Sequence, residues 1–568
     1  MRSIAGKQTR SGGSAPMCGG DAEGGWWMSA GSGMRSQVWS EQLRDAVSER
    51  VVFDATGLAA AAARVREPTH VMTAGGHSGV AFGPMTGAVA TPFGDARHLG
   101  TLPPLYPEWL GDLTFCRDHG TRFPYVVGEM ANGIATVGMV VAAARSGLLA
   151  FFGAAGLPVS TVDTAVSELA SALSGRDNWG VNLIHSPSEP SVERHLADLL
   201  LRRGVRRISV SAFTEPTAAV VRCAATGLRR GPHGVRRSVH LFAKVSHPGV
   251  AERFMSPAPA NLLRALVDEG ALTPEEAQLA AEVPLAEDIT VEGDSGGHTD
   301  NRPLTALLPA VMSVRDEVVR RHGYRGSLRV GAAGGLGTPA AVAAAFSLGA
   351  SYVLTGSVNQ SAVESGLSDE AKAMLAQADI ADVAMAPSAD LFEFGGKVQV
   401  LRRGTLYASR AAKLYEVYLD HPSLEAIPES LRAKLEREVL HATFAEVWAE
   451  TLRFWRATDP GEVRRAETEP KHRMALVFRW YLGKASRWAI AGDSGRRTDY
   501  QVWCGPAMGA FNRWTAGSHL AEPANRSVAQ IALNLLEGAA SVTRAQQLRG
   551  HGVPVPPTAF TPAPRRLA

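Results

Sequence analysis

The chain has 568 residues, 45% of them hydrophobic and 20% charged. That balance is ordinary for globular proteins and excludes a wholly disordered, collagen-like or integral-membrane chain. Lysine and arginine (58) nearly cancel aspartate and glutamate (55), so the net charge of +3 creates no global demand for nucleic acid or a membrane surface.

In chain order, residues 1–36 are rich in Gly and Ser without periodicity and have no apolar core of a signal peptide, so a disordered leader is expected. From Pro124 the pattern changes. Short apolar runs at 125–128, 149–152, 180–184, 207–211, 238–246, 288–292, 328–332 and 351–355 predict strands. Most of the gaps carry helical periodicity, as at 137–146, 161–173, 191–202, 304–321 and 339–348. Repeated βα units require parallel pairing, because each helix returns the chain over the sheet. Eight units in about 240 residues suit a closed (β/α)8, or TIM, barrel; a doubly wound open sheet is the alternative. The span 330–363 has no charged residue, but Gly334, Gly335, Gly337, Pro339 and Gly349 interrupt it, which suits a buried turn, helix and strand rather than a membrane span. Between strands four and five, residues 221–240 cluster Arg222, Arg229, Arg230, Arg236 and Arg237, predicting an exposed basic hairpin that is either a solvated face or a landing site for an acidic partner. Beyond 361 helical spacing dominates, with one apolar stripe read from Leu431 to Trp455 and another from Met474 to Leu482.

The expected organisation is a leader (1–36), an N-terminal segment packing on the barrel (37–123), the barrel (124–360), a helical C-terminal region (361–545) and a loose proline-rich tail (546–568). Four scattered cysteines with no CxxC spacing argue against a disulfide scaffold or structural zinc and make a reducing, cytoplasmic setting the default.

Three motifs sit where barrel chemistry sits, at strand C-termini. Gly334-Gly335-Leu336-Gly337 before Thr338-Pro339, with Gly356-Ser357 after strand eight, offers side-chain-free backbone and helix starts to a phosphate. Ordinary tight turns would look the same. Gly296-Gly297-His298 follows strand six and offers a histidine that can donate or orient, or one merely bonded to Asp300; spacing supplies no further ligand, so no metal site is expected. The GDSGG string around Ser295 matches trypsin-like proteases, a reading excluded by the βα alternation around it. Met130-Ala131-Asn132 after strand one leaves room for a flat ring, and Asn182 and Lys244 point to the same rim if the strands are as read.

With these pieces in order, the sequence resembles the flavin-dependent 2-nitropropane dioxygenase-like superfamily. The match lies in Met130-Ala131-Asn132, Val181-Asn182-Leu183, Ser295-Gly296-Gly297-His298, Gly334-Gly335-Leu336-Gly337 and Thr355-Gly356-Ser357. Blocks at 286–303, 355–360, 376–387, 397–401 and 499–512 resemble more narrowly the PfaD family, trans-acting enoyl reductases of polyunsaturated fatty acid and polyketide synthases. Gly293 departs from an expected Ala. The resemblance implies an FMN-binding TIM barrel in which NADPH or NADH drives reduction of 2-enoyl thioesters carried on acyl carrier protein from another chain, and it is compatible with a homodimer. It implies that Gly334, Gly335, Gly337, Gly356 and Ser357 hold the flavin phosphate. Met130, Ala131, Asn132, Asn182, Lys244, Gly296 and Gly297 would surround the ring and ribityl chain, and His298 would orient or protonate the thioester. A nitronate monooxygenase and a non-catalytic protein that docks on a synthase are the alternatives.

Overall fold

A computed structural model describes residues 51–83, 89–186, 190–232, 234–326 and 328–567; the expected leader lies outside them. Eight parallel strands, Tyr125–Val127, Leu149–Phe152, Trp179–Ile184, Arg207–Ser211, His240–Val245, Asp288–Glu292, Arg329–Ala333 and Val353–Thr355, close into a barrel. Closure pairs Tyr125 with Val353 and Val127 with Thr355, joining the last strand to the first. The open-sheet alternative is thereby excluded. The strands are almost wholly buried because helices cover them outside and side chains fill them inside.

Charge closes the N-terminal end of the barrel. The helix Leu113–His119 tucks Phe115 against Tyr352, with ring centroids 4.5 Å apart. Asp288, the first residue of strand six, accepts from Arg329 Nε at 2.6 Å and lies 3.0 Å from His119 Nε2. Arg329 also donates to Asp118 at 2.7 Å. A carboxylate, an imidazole and a guanidinium buried together remain affordable only because each meets the others.

Before the barrel, strands Thr69–Ala74, His77–Ala81, Val89–Thr91 and Gly94–Leu102 form an antiparallel sheet. Fully buried Arg544, on the long helix Val528–Gly550, donates to Thr69 Oγ1 at 2.7 Å and ties sheet to helix. The proline-rich segment after that helix, expected to be loose, is packed. Val553 and Ala559 are buried, Trp514 donates to the Pro562 carbonyl at 2.7 Å, and Asn534 accepts from the Arg565 amide at 2.7 Å. Prolines lose little conformational entropy on ordering, so a few such contacts suffice.

The region after the barrel is less purely helical than its periodicity predicts. Strands Val383–Pro387 and Lys397–Leu401 pair antiparallel, and the second continues onto Gly297–His298 of the barrel. The stripe from Leu431 to Trp455 is divided by a break before Phe444. His441 adopts φ +54, and a capping box of Thr443 and Glu446 starts Phe444–Thr458. The helix Pro470–Ala491 buries Met474, Phe478 and Tyr481 in a second core. The basic hairpin is real, with Arg229–Gly231 pairing Gly234–Arg236, but much of its charge is used locally. Arg230 meets Glu282 and Arg237 meets Glu287, leaving Arg229 and Arg236 exposed without an ion-pair partner among the described residues. No helix among the described residues is long and apolar enough to cross a membrane.

Candidate active site

A cavity of about 620 Å³ opens at the C-terminal ends of the barrel strands. That is an ordinary size for a cofactor or substrate site. Met130, Ala131, Lys244, Gly296, Gly297, His298, Gly334, Gly335, Gly356 and Ser357 all line it. Sequence motifs far apart in the chain thus meet on one wall because each follows a strand that ends at the same face.

Three predicted residues stand elsewhere among the described residues. Asn132 takes φ +56, and its amide donates to Ser486 of the C-terminal region at 3.3 Å. Asn182 is buried and donates to the Ser209 carbonyl at 3.2 Å and Ser211 Oγ at 3.0 Å. Gly337 presses on backbone: a Cβ there would stand 2.0 Å from the Ala507 carbonyl oxygen. Its lack of a side chain is required by the packing of the helix Pro506–Thr515. Gly335 is the opposite case. It has φ +72, and a Cβ would meet nothing within 4 Å. The same open space surrounds Gly356. Those two positions keep the cradle that a phosphate requires.

The floor of the cavity carries a charge cluster that the motifs did not single out. Lys244 Nζ lies 3.2 Å from Glu129 Oε1 and 3.7 Å from Glu292 Oε2, and Ser209 donates to Glu129 at 3.0 Å. Burial disfavours the ammonium, but the two carboxylates outweigh it, so Lys244 holds its proton more tightly than an ordinary lysine. Burial likewise pushes the Glu292 carboxyl above the usual range, with Lys244 pulling the other way. Glu129 Oε2 and Gln360 Oε1 are buried without a hydrogen-bond partner. Orphaned acceptors in a ligand-sized cavity call for a donor from outside the chain, and the N–H of a flavin ring fits that need. The residues present fit FMN: open glycines for its phosphate and unsatisfied acceptors for its ring. Both glutamates were legible as acidic residues at strand ends, yet nothing in sequence distance linked them to Lys244.

The rim is built by distant segments. Gln399 donates to Asp294 and to the Ser295 carbonyl, both at 2.7 Å, and stiffens the loop that presents His298. Gly296 meets Gly505: a Cβ on Gly296 would stand 2.8 Å from the Cys504 nitrogen, so Trp503 reaches the cavity wall. His298 is 39% exposed, and its Nε2 lies 3.2 Å from Asp390, not from Asp300, which instead accepts from Ser246.

Comparison with known proteins agrees with this arrangement. Residues 421–500 match the family model of the inserted helical domain of [acyl-carrier-protein] S-malonyltransferase. The chain is 45% identical over 448 residues to a component of the polyunsaturated fatty acid synthase of Thraustochytrium sp., covering 78% of this chain and 30% of that protein. It is 43% identical over 430 residues to polyketide biosynthesis protein PksE of Bacillus subtilis, covering 76% and 56%. The chain thus spans at most about half of these curated relatives. The enoyl reductase domain of MlnA, from the macrolactin biosynthesis cluster of Bacillus amyloliquefaciens, superposes with a TM-score of 0.75 at 36% identity, covering 78% of this chain and 99% of that domain. With that domain matched almost end to end and its barrel strands closed around one lined cavity, the chain belongs to the PfaD-like enoyl reductase family.

Proposed function

We propose that the protein is a trans-acting, FMN-dependent enoyl reductase that saturates the 2,3 double bond of enoyl thioesters on the acyl carrier protein of a polyketide or polyunsaturated fatty acid synthase. The observation that carries the proposal is the convergence of Gly335, Gly356, the Lys244 cluster and His298 on one cavity in a chain matched to the MlnA domain. Bound there, FMN would supply two-electron chemistry, taking hydride from NADPH or NADH and giving it to the thioester β-carbon.

The chain's own residues have separable tasks. Gly335 and Gly356, with Ser357, bring backbone amides and a hydroxyl to the phosphate. Glu129, Gln360 and Lys244 offer acceptors and a fixed positive charge to the edge of the ring. Leu391, Trp503 and Phe213 keep water from the reacting carbons. As hydride reaches the β-carbon the thioester becomes an enolate, so its α-carbon needs a proton and its oxygen a donor. His298, at the rim, orients the thioester or delivers that proton.

The test is anaerobic. The purified protein should carry a flavin spectrum, bleach with NADPH or NADH, and reoxidise on adding a 2-enoyl thioester, with saturated product. Reoxidation by an alkyl nitronate but not by the thioester would replace this reading with nitronate oxidation. Absence of flavin would remove both. His298→Ala should retain flavin and its reduction while slowing the thioester half-reaction by about 10²-fold or more, the usual worth of a positioned acid.

A further inference from the structure

The loop 388–396, joining strands Val383–Pro387 and Lys397–Leu401, lies against the cavity mouth. Successive residues are used differently. Asp390 reaches His298, with Oδ2 3.2 Å from Nε2. Leu391 lines the cavity. Phe392 is fully buried in the second core. Glu393 lies 3.1 Å from His472 Nδ1 and accepts from Arg479 at 3.4 Å, both on the helix Pro470–Ala491. The backbone closes on itself, with the Gly396 amide donating to Leu391 O at 3.0 Å and the Ser388 amide to Gly396 O at 2.9 Å. Asp390 is thus presented by a loop anchored on both sides. His298 is held by the same sheet, since its backbone pairs with Val398.

A histidine's free nitrogen is defined by what the other nitrogen bonds. Two carboxylates near it in sequence are engaged elsewhere: Asp300 by Ser246, and Glu292 by Lys244. We propose that Asp390 is the positioning residue of His298: its carboxylate accepts from Nε2–H, fixes the imidazole's resting tautomer and orientation, and leaves Nδ1 toward the substrate, where a second proton taken up from solvent is the one the ring can donate. The substrate half of this statement rests on the enoyl reductase reading; the tautomer half does not.

Asp390 is 55% exposed, so its replacement does not threaten folding. The experiment compares Asp390→Asn, Asp390→Glu and Asp390→Ala, each alone and with His298→Ala, in the flavin-loaded protein. Asp390→Asn and Asp390→Ala should lower kcat for thioester reduction about tenfold with KM and flavin reduction unchanged. Asp390→Glu should recover part of the loss. In the His298→Ala background Asp390→Ala should have no further effect, because a residue acting through His298 is silent once it is gone. Independently of turnover, 15N NMR of labelled histidine should show His298 as the Nε2–H tautomer in the wild type and as a mixture in Asp390→Asn. An unchanged kcat, an equal loss in both backgrounds, or the same tautomer in wild type and Asp390→Asn would each overturn the proposal. A wild type that fails to reduce thioesters, yet shows the tautomer shift, would sink the enoyl reductase reading and leave the Asp390–His298 pairing standing.

Discussion

Two glycines of one motif, two residues apart, should fail in opposite ways. In Gly337→Ala the new Cβ would stand 2.0 Å from Ala507 O and 2.8 Å from Ala507 C. Carbon and oxygen do not approach so closely, so the helix Pro506–Thr515 must move back by roughly 1 Å, an overpacking cost of about 1–3 kcal/mol. At a few degrees per kcal/mol, thermal denaturation should show a melting temperature lowered by up to about 6 °C. Flavin bound per folded molecule should change little, because Gly337 does not line the cavity. In Gly335→Ala no atom lies within 4 Å of the new methyl, but the residue must keep φ +72, which costs an L side chain about 1–2 kcal/mol. The methyl would also occupy the space left for the phosphate. Flavin content, read from absorbance after gel filtration, should therefore fall far more than the melting temperature implies. The reasoning is refuted if Gly337→Ala sheds flavin at an unchanged melting temperature, or if Gly335→Ala keeps a full complement.

Three other outcomes follow from charge. Lys244→Met leaves Glu129 and Glu292 facing each other without their ammonium, a loss of about 3–5 kcal/mol for breaking a buried pair. The melting deficit should shrink as pH falls, because Glu292, already raised by burial, takes up a proton more readily than an ordinary glutamate and relieves the repulsion. At the other end of the barrel, burial opposes ionisation of Glu287, but Arg237 and His240 overcome it and hold the carboxyl down to about 2 from its unfolded 4.5. The stability it contributes is complete above 4.5 and lost as pH falls through 2, so Arg237→Met should move the acid-unfolding midpoint, followed by circular dichroism, to higher pH. At the hairpin, reversing the exposed pair with Arg229→Glu/Arg236→Glu should raise KM for carrier-bound substrate and leave a short thioester unaffected; equal effects on both would remove carrier docking there.

The sequence by itself determined the βα alternation, and most of the site residues it singled out line the cavity. A period that alternates between two and 3.6 is written locally, and in a barrel every strand must end on the same face. Motifs after strands one, six, seven and eight were therefore bound to meet. Tertiary structure decided what each residue faces. Gly335 and Gly337 read alike in a glycine-rich turn, yet one borders open space and the other the backbone of a helix some 170 positions downstream. Asn132 and Asn182 read like ring ligands, and it is the fold that aims their amides at Ser486 and the carbonyl of Ser209. His298 had Asp300 as its neighbour in sequence and took Asp390 in space, because the strand Lys397–Leu401 pairs beside it and brings that loop to the rim. Local propensity fixes where the backbone turns. The direction of a side chain is settled by which distant surface is packed against it, and that information is spread over the whole chain.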